Sequence, residues 1–163
     1  MDGDKALVIS EKLLDYVKYN EDETSVTWET CTLCSWMNDD FLNAAFSSSE
    51  QAKIATVTNQ NPDNPKNGTE GGNATRDKIF ALSIDEAENY FSSDTDRKAY
   101  TTDYAHEKGY DHDDRSDYWW LRSPCFNGDG AVRVYYVGNV IQYDNIVNPN
   151  YCAVRPAFWL NLS

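Results

Sequence analysis

Residues 118–162 read YWWLRSPCFNGDGAVRVYYVGNVIQYDNIVNPNYCAVRPAFWLNL, and this stretch decides the fold. Its two ends are apolar. Trp119, Trp120 and Leu121 form one run, bounded by Pro124; Val154, Phe158, Trp159, Leu160 and Leu162 form the other. Each run is short, aromatic and β-branched, which predicts a strand in a sheet core. Trp119, Trp120, Phe158 and Trp159 are therefore expected to be buried. Pro156 has no N–H to give, so it marks an edge or a bulge of the last strand.

Between the runs the composition changes. Residues 125–152 hold four tyrosines (Tyr135, Tyr136, Tyr143, Tyr151) and five asparagines (Asn127, Asn139, Asn145, Asn148, Asn150). Tyrosine gives large, rigid contact area at low entropy cost, and asparagine gives adaptable hydrogen bonds, which is the chemistry of binding loops. Plain hairpins use the same residues, because Tyr favours strands and Asn and Gly favour turns. Val132 and Val134 alternate with Arg133 and Tyr135, so burying the valines turns Arg133 and Tyr135 to the opposite face. Gly138-Asn139 predicts a turn that returns Val140 to Tyr143 alongside. Loops at 126–130 and 144–152 then flank the hairpin. Phe126, Asp129, Arg133, Tyr135, Tyr136, Tyr143, Asp144, Asn145 and Tyr151 are expected on one exposed, ligand-binding face.

The chain upstream supplies strands and helices in alternation. Lys5 to Ser10 predicts a strand and Asp15 to Thr24 a polar loop. Leu33, Trp36, Met37, Phe41, Ala44 and Ala45 recur every three or four residues, which predicts a helix with one apolar face, capped by Thr27 or Thr30. Ser47 with Glu50, and Ser83 with Glu86, have the spacing of capping boxes. The second opens a helix through Phe91 with Ile84, Ala87 and Phe91 inward. Short strands are expected at Ile54 to Thr58 and Lys78 to Leu82. Asn59 to Asn73 is an Asn-, Pro- and Gly-rich loop with no apolar anchor, so mobility is expected there. Asn67-Gly68-Thr69 and Asn73-Ala74-Thr75 match the glycosylation pattern, which matters only in a glycosylating host.

At 163 residues the chain reads as one domain, 1–163, able to bury a core without staples. Its net charge of −13, from 14 basic and 27 acidic residues, repels phosphate backbones and anionic lipid, so no nucleic-acid partner is expected. No run of 18 apolar residues exists, so no membrane insertion is expected. Met1 is followed by Asp-Gly-Asp rather than by a basic and apolar leader.

Metal and redox motifs are incomplete. Cys31 and Cys34 form CTLC inside the apolar-periodic helix, with no second cysteine pair at zinc spacing, so helix packing is expected. Cys125 and Cys152 flank the Tyr/Asn-rich stretch, and spacing alone leaves a disulfide between them open. Asp111 to Asp117 clusters carboxylates but lacks the central Gly and distal Glu of a calcium loop, so a solvated acidic loop is expected. His106 and His112 have no triad spacing. The reading assigns no cofactor and no catalytic residue.

Together, YWWLRSP, the Val134 to Val140 hairpin and VRPAFWLNL resemble an uncharacterised bacterial domain family, widespread in gut Firmicutes. DGDKALVIS and TWETCTLCSWMNDDFLNAAF extend the likeness over most of the chain. That family is similar to C-type-lectin-like domains, a fold shared with diversity-generating retroelement variable proteins and formylglycine-generating enzymes. The resemblance implies an α+β fold with two main helices packed on antiparallel sheet and a loop-rich C-terminal β region. Where the family shows Gly after RSP and before VRP, this chain has Cys125 and Ala153. The residues at 126, 129, 133, 135–137, 143, 144, 151 and 152 scatter as a diversified surface would.

Three functions follow. One is a ligand-binding module with a diversified surface for a protein or carbohydrate, on a cell surface or outside it. Another is a structural or interaction module of a larger bacterial surface protein. The third is a formylglycine-generating-type oxidase, for which Cys125 and Cys152 are the candidate thiols; likeness of fold alone is weak warrant for that chemistry, and the chain is read as not an enzyme.

Overall fold

The computed structural model describes residues 3–22, 24–109, 115–126, 128–142 and 152–162. Among them, the strands are β1 (Lys5–Ile9), β2 (Asp15–Tyr16), β3 (Val57–Asn59), β4 (Thr75–Asp77), β5 (Trp119–Pro124), β6 (Ala131–Val134), β7 (Val140–Ile141), β8 (Ala153–Val154) and β9 (Ala157–Asn161). The helices are α1 (Thr32–Trp36), α2 (Leu42–Ala45), α3 (Ser48–Gln51), α4 (Ile84–Tyr90), α5 (Asp94–Arg97) and α6 (Asp103–Lys108). The fold is α+β. A five-stranded sheet runs β2-β8-β5-β6-β7, and two ribbons pair β1 with β9 and β3 with β4, both antiparallel.

β5 is the centre. All six of its residues are buried, because it lies between β8 and β6 and is covered on both faces. Successive side chains point to opposite faces. Trp119 meets Phe91 beyond α4, ring centroids 6.4 Å apart. Trp120 meets Tyr19 at 5.5 Å and donates its indole N–H to the Val17 carbonyl at 2.9 Å. A register shift between Trp120 and Pro124 marks a bulge in the β5–β6 pairing. Phe158 and Trp159, expected in the core with the other two, are only half-buried. The ribbon that carries them is covered less completely than the sheet.

The long apolar helix is interrupted. α1 and α2 are joined by a π-helical segment, Met37–Phe41. Leu33, Met37 and Leu42 are buried, at spacings of four and then five. Five residues of α-helix turn about 500°, which would swing Leu42 some 140° off the face. The i→i+5 ladder of a π segment fits one more residue per turn and returns Leu42 to it. Ala44 and Ala45, expected inward, are exposed. The cap also differs from expectation. Cys31, not Thr27 or Thr30, is the N-cap, and its Sγ accepts from the Cys34 N–H at 3.4 Å. CTLC therefore sits at the helix start rather than inside it. Both capping boxes form, at Ser47/Glu50 and Ser83/Glu86.

Side chains replace a predicted strand. Lys78 to Leu82 form no strand beyond a bridge from Phe80 to Ala157. The backbone there bonds elsewhere. Asn38 Oδ1 accepts from the N–H groups of Lys78 and Ile79, and its Nδ2 donates to the Ile79 carbonyl. Arg122 donates to the Ala81 carbonyl. Asp15 and Tyr16, expected in a loop, pair with β8 as β2.

Buried carboxylate and guanidinium groups hold the layers together. Asp77, 3% exposed, accepts from Trp28 Nε1 at 3.0 Å, Asn59 Nδ2 at 2.8 Å and Thr75 Oγ1 at 2.7 Å, with the Cys34 thiol at 3.7 Å. Arg122 of the WWLRSP motif forms a two-point ion pair with Glu86 and reaches Asn61 and the Gln60 carbonyl. Arg155 of the VRP motif donates to the Ser10 and Arg97 carbonyls and lies 5.0 Å from the Phe91 ring and 5.1 Å from that of Trp119. Both motif arginines are structural clamps, each donating to carbonyl groups inside the protein.

A candidate ligand-binding surface

β6 decides the geometry of the surface. Its four residues are all buried, Arg133 at 2% exposure included. The alternation that was to place Arg133 on an open face fails, because β6 is flanked by β5 and β7 and covered on both sides. Arg133 lies beneath the surface instead. Its guanidinium sits 5.1 Å from the Tyr118 ring centroid, a cation–π contact.

Above it three tyrosines meet. Tyr118 and Tyr135 are 4.4 Å apart edge-to-face, Tyr118 and Tyr136 5.6 Å, Tyr135 and Tyr136 6.0 Å. Tyr136 and Val137 are exposed at 37% and 49%. Burial pushes the Tyr118 hydroxyl up to about 12, and the Tyr135 hydroxyl beside it adds to the rise, while Arg133 opposes it. The Tyr118 phenol therefore stays a neutral donor and acceptor at ordinary pH.

The hairpin tip is held in place. Tyr135 donates to the Asn139 carbonyl and Gly138 to that of Tyr135. Gly138 has φ +94° and lies against the Asp94 carbonyl, where a Cβ would collide. Arg97 Nε donates to the Gly138 carbonyl at 3.0 Å. This docking on α5 fixes the hairpin tip that carries Tyr135 and Tyr136.

The surface reaches beyond the hairpin. Tyr100 bridges Ser116 in antiparallel register, with Asp117 donating to Ala99 and Thr101 to Arg115. That register, continued, sets Lys98 across from Tyr118. The Lys98 ammonium lies 5.1 Å from the Tyr100 ring centroid, and Tyr100 is 46% exposed. Sequence reasoning missed Lys98, Tyr100 and Tyr118. The first two fell in a polar stretch, and Tyr118 was joined to the apolar run that follows it. The paired spacing of Lys98 and Tyr100 was the one available signal.

The nine expected residues do not form one cluster. Tyr135 and Tyr136 meet at one end of the β5–β6 hairpin, where Trp119 pairs with Val134. Phe126 and Asp129 lie past its other end, where Pro124 pairs with Ala131, on the order of 15 Å away along the strands. Phe126 is 54% exposed. Its carbonyl accepts from Thr69 Oγ1, and Asn64 Nδ2 donates to the Pro124 carbonyl. Buried asparagines thus anchor the Asn-rich loop where apolar residues are lacking. Asp129 is half-buried, and its Oδ1 is enclosed with no hydrogen-bond partner among the described residues. Tyr143, Asp144, Asn145 and Tyr151 lie outside the described residues, as does most of the acidic 111–117 loop.

No disulfide joins any of the four cysteines. Burial pushes Cys31 up to about 12 and raises Cys34, Cys125 and Cys152. Among the described residues no group of three or more His, Cys, Asp or Glu side chains could hold a metal ion, and no helix is long and apolar enough to cross a membrane.

Residues 3–162 match the family described as a domain of unknown function, DUF6273, and the chain belongs to that family. No curated protein and no solved structure matches it.

Proposed function

We propose that this chain is a ligand-binding module on a C-type-lectin-like scaffold, and that its binding surface is the tyrosine cluster of Tyr118, Tyr135 and Tyr136 with Tyr100 and Lys98 beside it. The observation that carries the reading is the cluster itself: rings packed edge-to-face, partly open to solvent, on a hairpin tip clamped to α5. Rigid aromatic anchors of this kind dominate binding energy at interfaces. The scaffold assignment draws support from helices α4 and α6 packed against a sheet whose strands, β2 apart, come late in the chain.

If the surface is diversified, as the resemblance implies, the exposed positions 126, 136 and 137 can vary freely. Arg133 and Cys152 are buried and belong to the scaffold. The oxidase alternative needs a reactive thiolate, and burial holds every thiol on the protonated side. A structural role in a larger assembly is the second reading, favoured by the edge of β1 (Lys5–Ile9), which pairs with no further strand among the described residues.

Screening the chain against glycan arrays and a panel of bacterial and host surface proteins tests the proposal. Hits should be lost in the double variant Tyr135→Ser/Tyr136→Ser, while its thermal melt stays within a few degrees of the parent. Undiminished binding by that variant would sink it.

A further inference from the structure

The ribbon formed by β1 and β9 has one side unfinished. On β9, the backbone of Ala157, Trp159 and Asn161 bonds away from β1, to Phe80, Ala55 and Lys53. The alternate residues therefore face β1, and the bonds from Leu162 N to Asp4 O and from Ser10 N to Pro156 O agree with this register. It follows that Asp4, Ala6, Val8 and Ser10 point inward to β9. The N–H and C=O groups of Lys5, Leu7 and Ile9 point to the open edge, and β1 pairs with no strand but β9 among the described residues. Such a row of unpaired groups is a template for another strand.

A second observation lies on the same edge. Leu7 and Ile9 share a face of β1, and an apolar groove opens over it, lined with them by Leu82, Tyr90, Phe91 and Trp159. Tyr90 is 53% exposed. A strand hydrogen-bonded to β1 presents every second side chain to that groove. Trp159 also walls a polar cleft that holds Lys5, Asp85 and the Glu86–Arg122 ion pair.

Charge selects the occupant. Glu11 flanks the strand and Asp85 lies in the adjoining cleft, while Lys5 is paired with Asp4 at 3.2 Å and Glu86 with Arg122. With a net charge of −13, a second copy of this chain would bring like charge to the contact. We infer that the β1 edge binds an extended polypeptide strand of a partner, with alternating apolar side chains that fill the groove and lysine or arginine between them. Main-chain bonds to Lys5, Leu7 and Ile9 supply affinity, and the groove and the carboxylates supply selectivity. This site is separate from the tyrosine surface, and either can fail without the other.

The probe is a synthetic peptide of about ten residues in which valine alternates with lysine and threonine, added to the full chain and followed by amide hydrogen exchange in NMR. The amides of Lys5, Leu7 and Ile9 should slow about tenfold or more at saturation, and a peptide with glutamate in place of lysine should bind roughly tenfold more weakly. Leu7→Pro removes only an outward-facing donor and should abolish the protection. Should that variant fold poorly, Tyr90→Ser, at an exposed position, should weaken binding several-fold with an unchanged melt. Protection that appears without peptide, together with dimers in sedimentation, would assign the edge to a second copy and overturn the proposed partner. Absence of protection at these three amides, or protection that survives both variants, would overturn the site.

Discussion

β5 and β9 carry the two densest aromatic runs of the chain, yet solvent reaches them differently. Every residue of β5 is buried; in β9 only Ala157 is, and the next four are half-exposed. Their side chains are alike, so hydrophobicity is not the cause. β5 has a strand on each side and a layer on each face. β9 has one full strand neighbour, isolated bridges to Ile54 and Phe80 on the other side, and a face that opens on a groove. The number of covered sides sets burial, and the sequence of one strand does not report it.

The largest expected effect separates the two strands directly. Trp120→Ala should cost about 3–5 kcal/mol, and Trp159→Ala less than half as much, because part of its ring is already in water. Urea denaturation of both variants measures this; equal losses would break the comparison. Next in size is the pair of motif arginines. Arg122→Met strands the Glu86 carboxylate and should cost roughly 3 kcal/mol. Arg155→Met leaves only neutral carbonyls and should cost about half of that. A larger loss at Arg155 would move the structural centre from β5 to β9.

The smallest effect is a pH dependence at the start of β5. The Tyr118 hydroxyl ionises near 12 in the folded chain against an ordinary 10.0. A raised folded value means that its contribution is complete below pH 10 and is lost as pH climbs toward 12. Melting temperature should therefore fall across that window, and Tyr118→Phe should flatten part of the fall. Cys31, raised from 9.0 to about 12, adds a decline that begins one unit earlier, and burial raises the Tyr16 and Tyr19 hydroxyls too, so a slope unchanged by Tyr118→Phe would assign the effect to the thiols and these other phenols.

Much of the fold was legible. The strands at β1, β5 and β9, the hairpin at 131–141 and both capping boxes follow from period, turn residues and cap spacing. What was hidden shares a cause: side chains doing the work of backbone. Asn38 takes the ladder bonds expected of a strand at 78–82, and Asn61 and Asn64 anchor a loop that looks unanchored. The surface was half legible. Tyr135 and Tyr136 do lie together at the hairpin end, but two-period alternation misplaced Arg133, because a strand covered on both faces buries both sets of side chains. Phe126 and Asp129 were grouped with them on the assumption that neighbours in a hairpin sequence share an end.

The π segment at Met37–Phe41 has a meaning in the currency of insertion and deletion. The helix holds one residue more than its packing requires. Asp39 and Asp40 are exposed, and removing either would bring Leu33, Met37 and the present Leu42 to an even spacing of four along an ordinary α-helix. A deletion of Asp39 or Asp40 should therefore be absorbed by rewinding one turn as ordinary α-helix, with Leu33, Met37 and Leu42 still on the buried face.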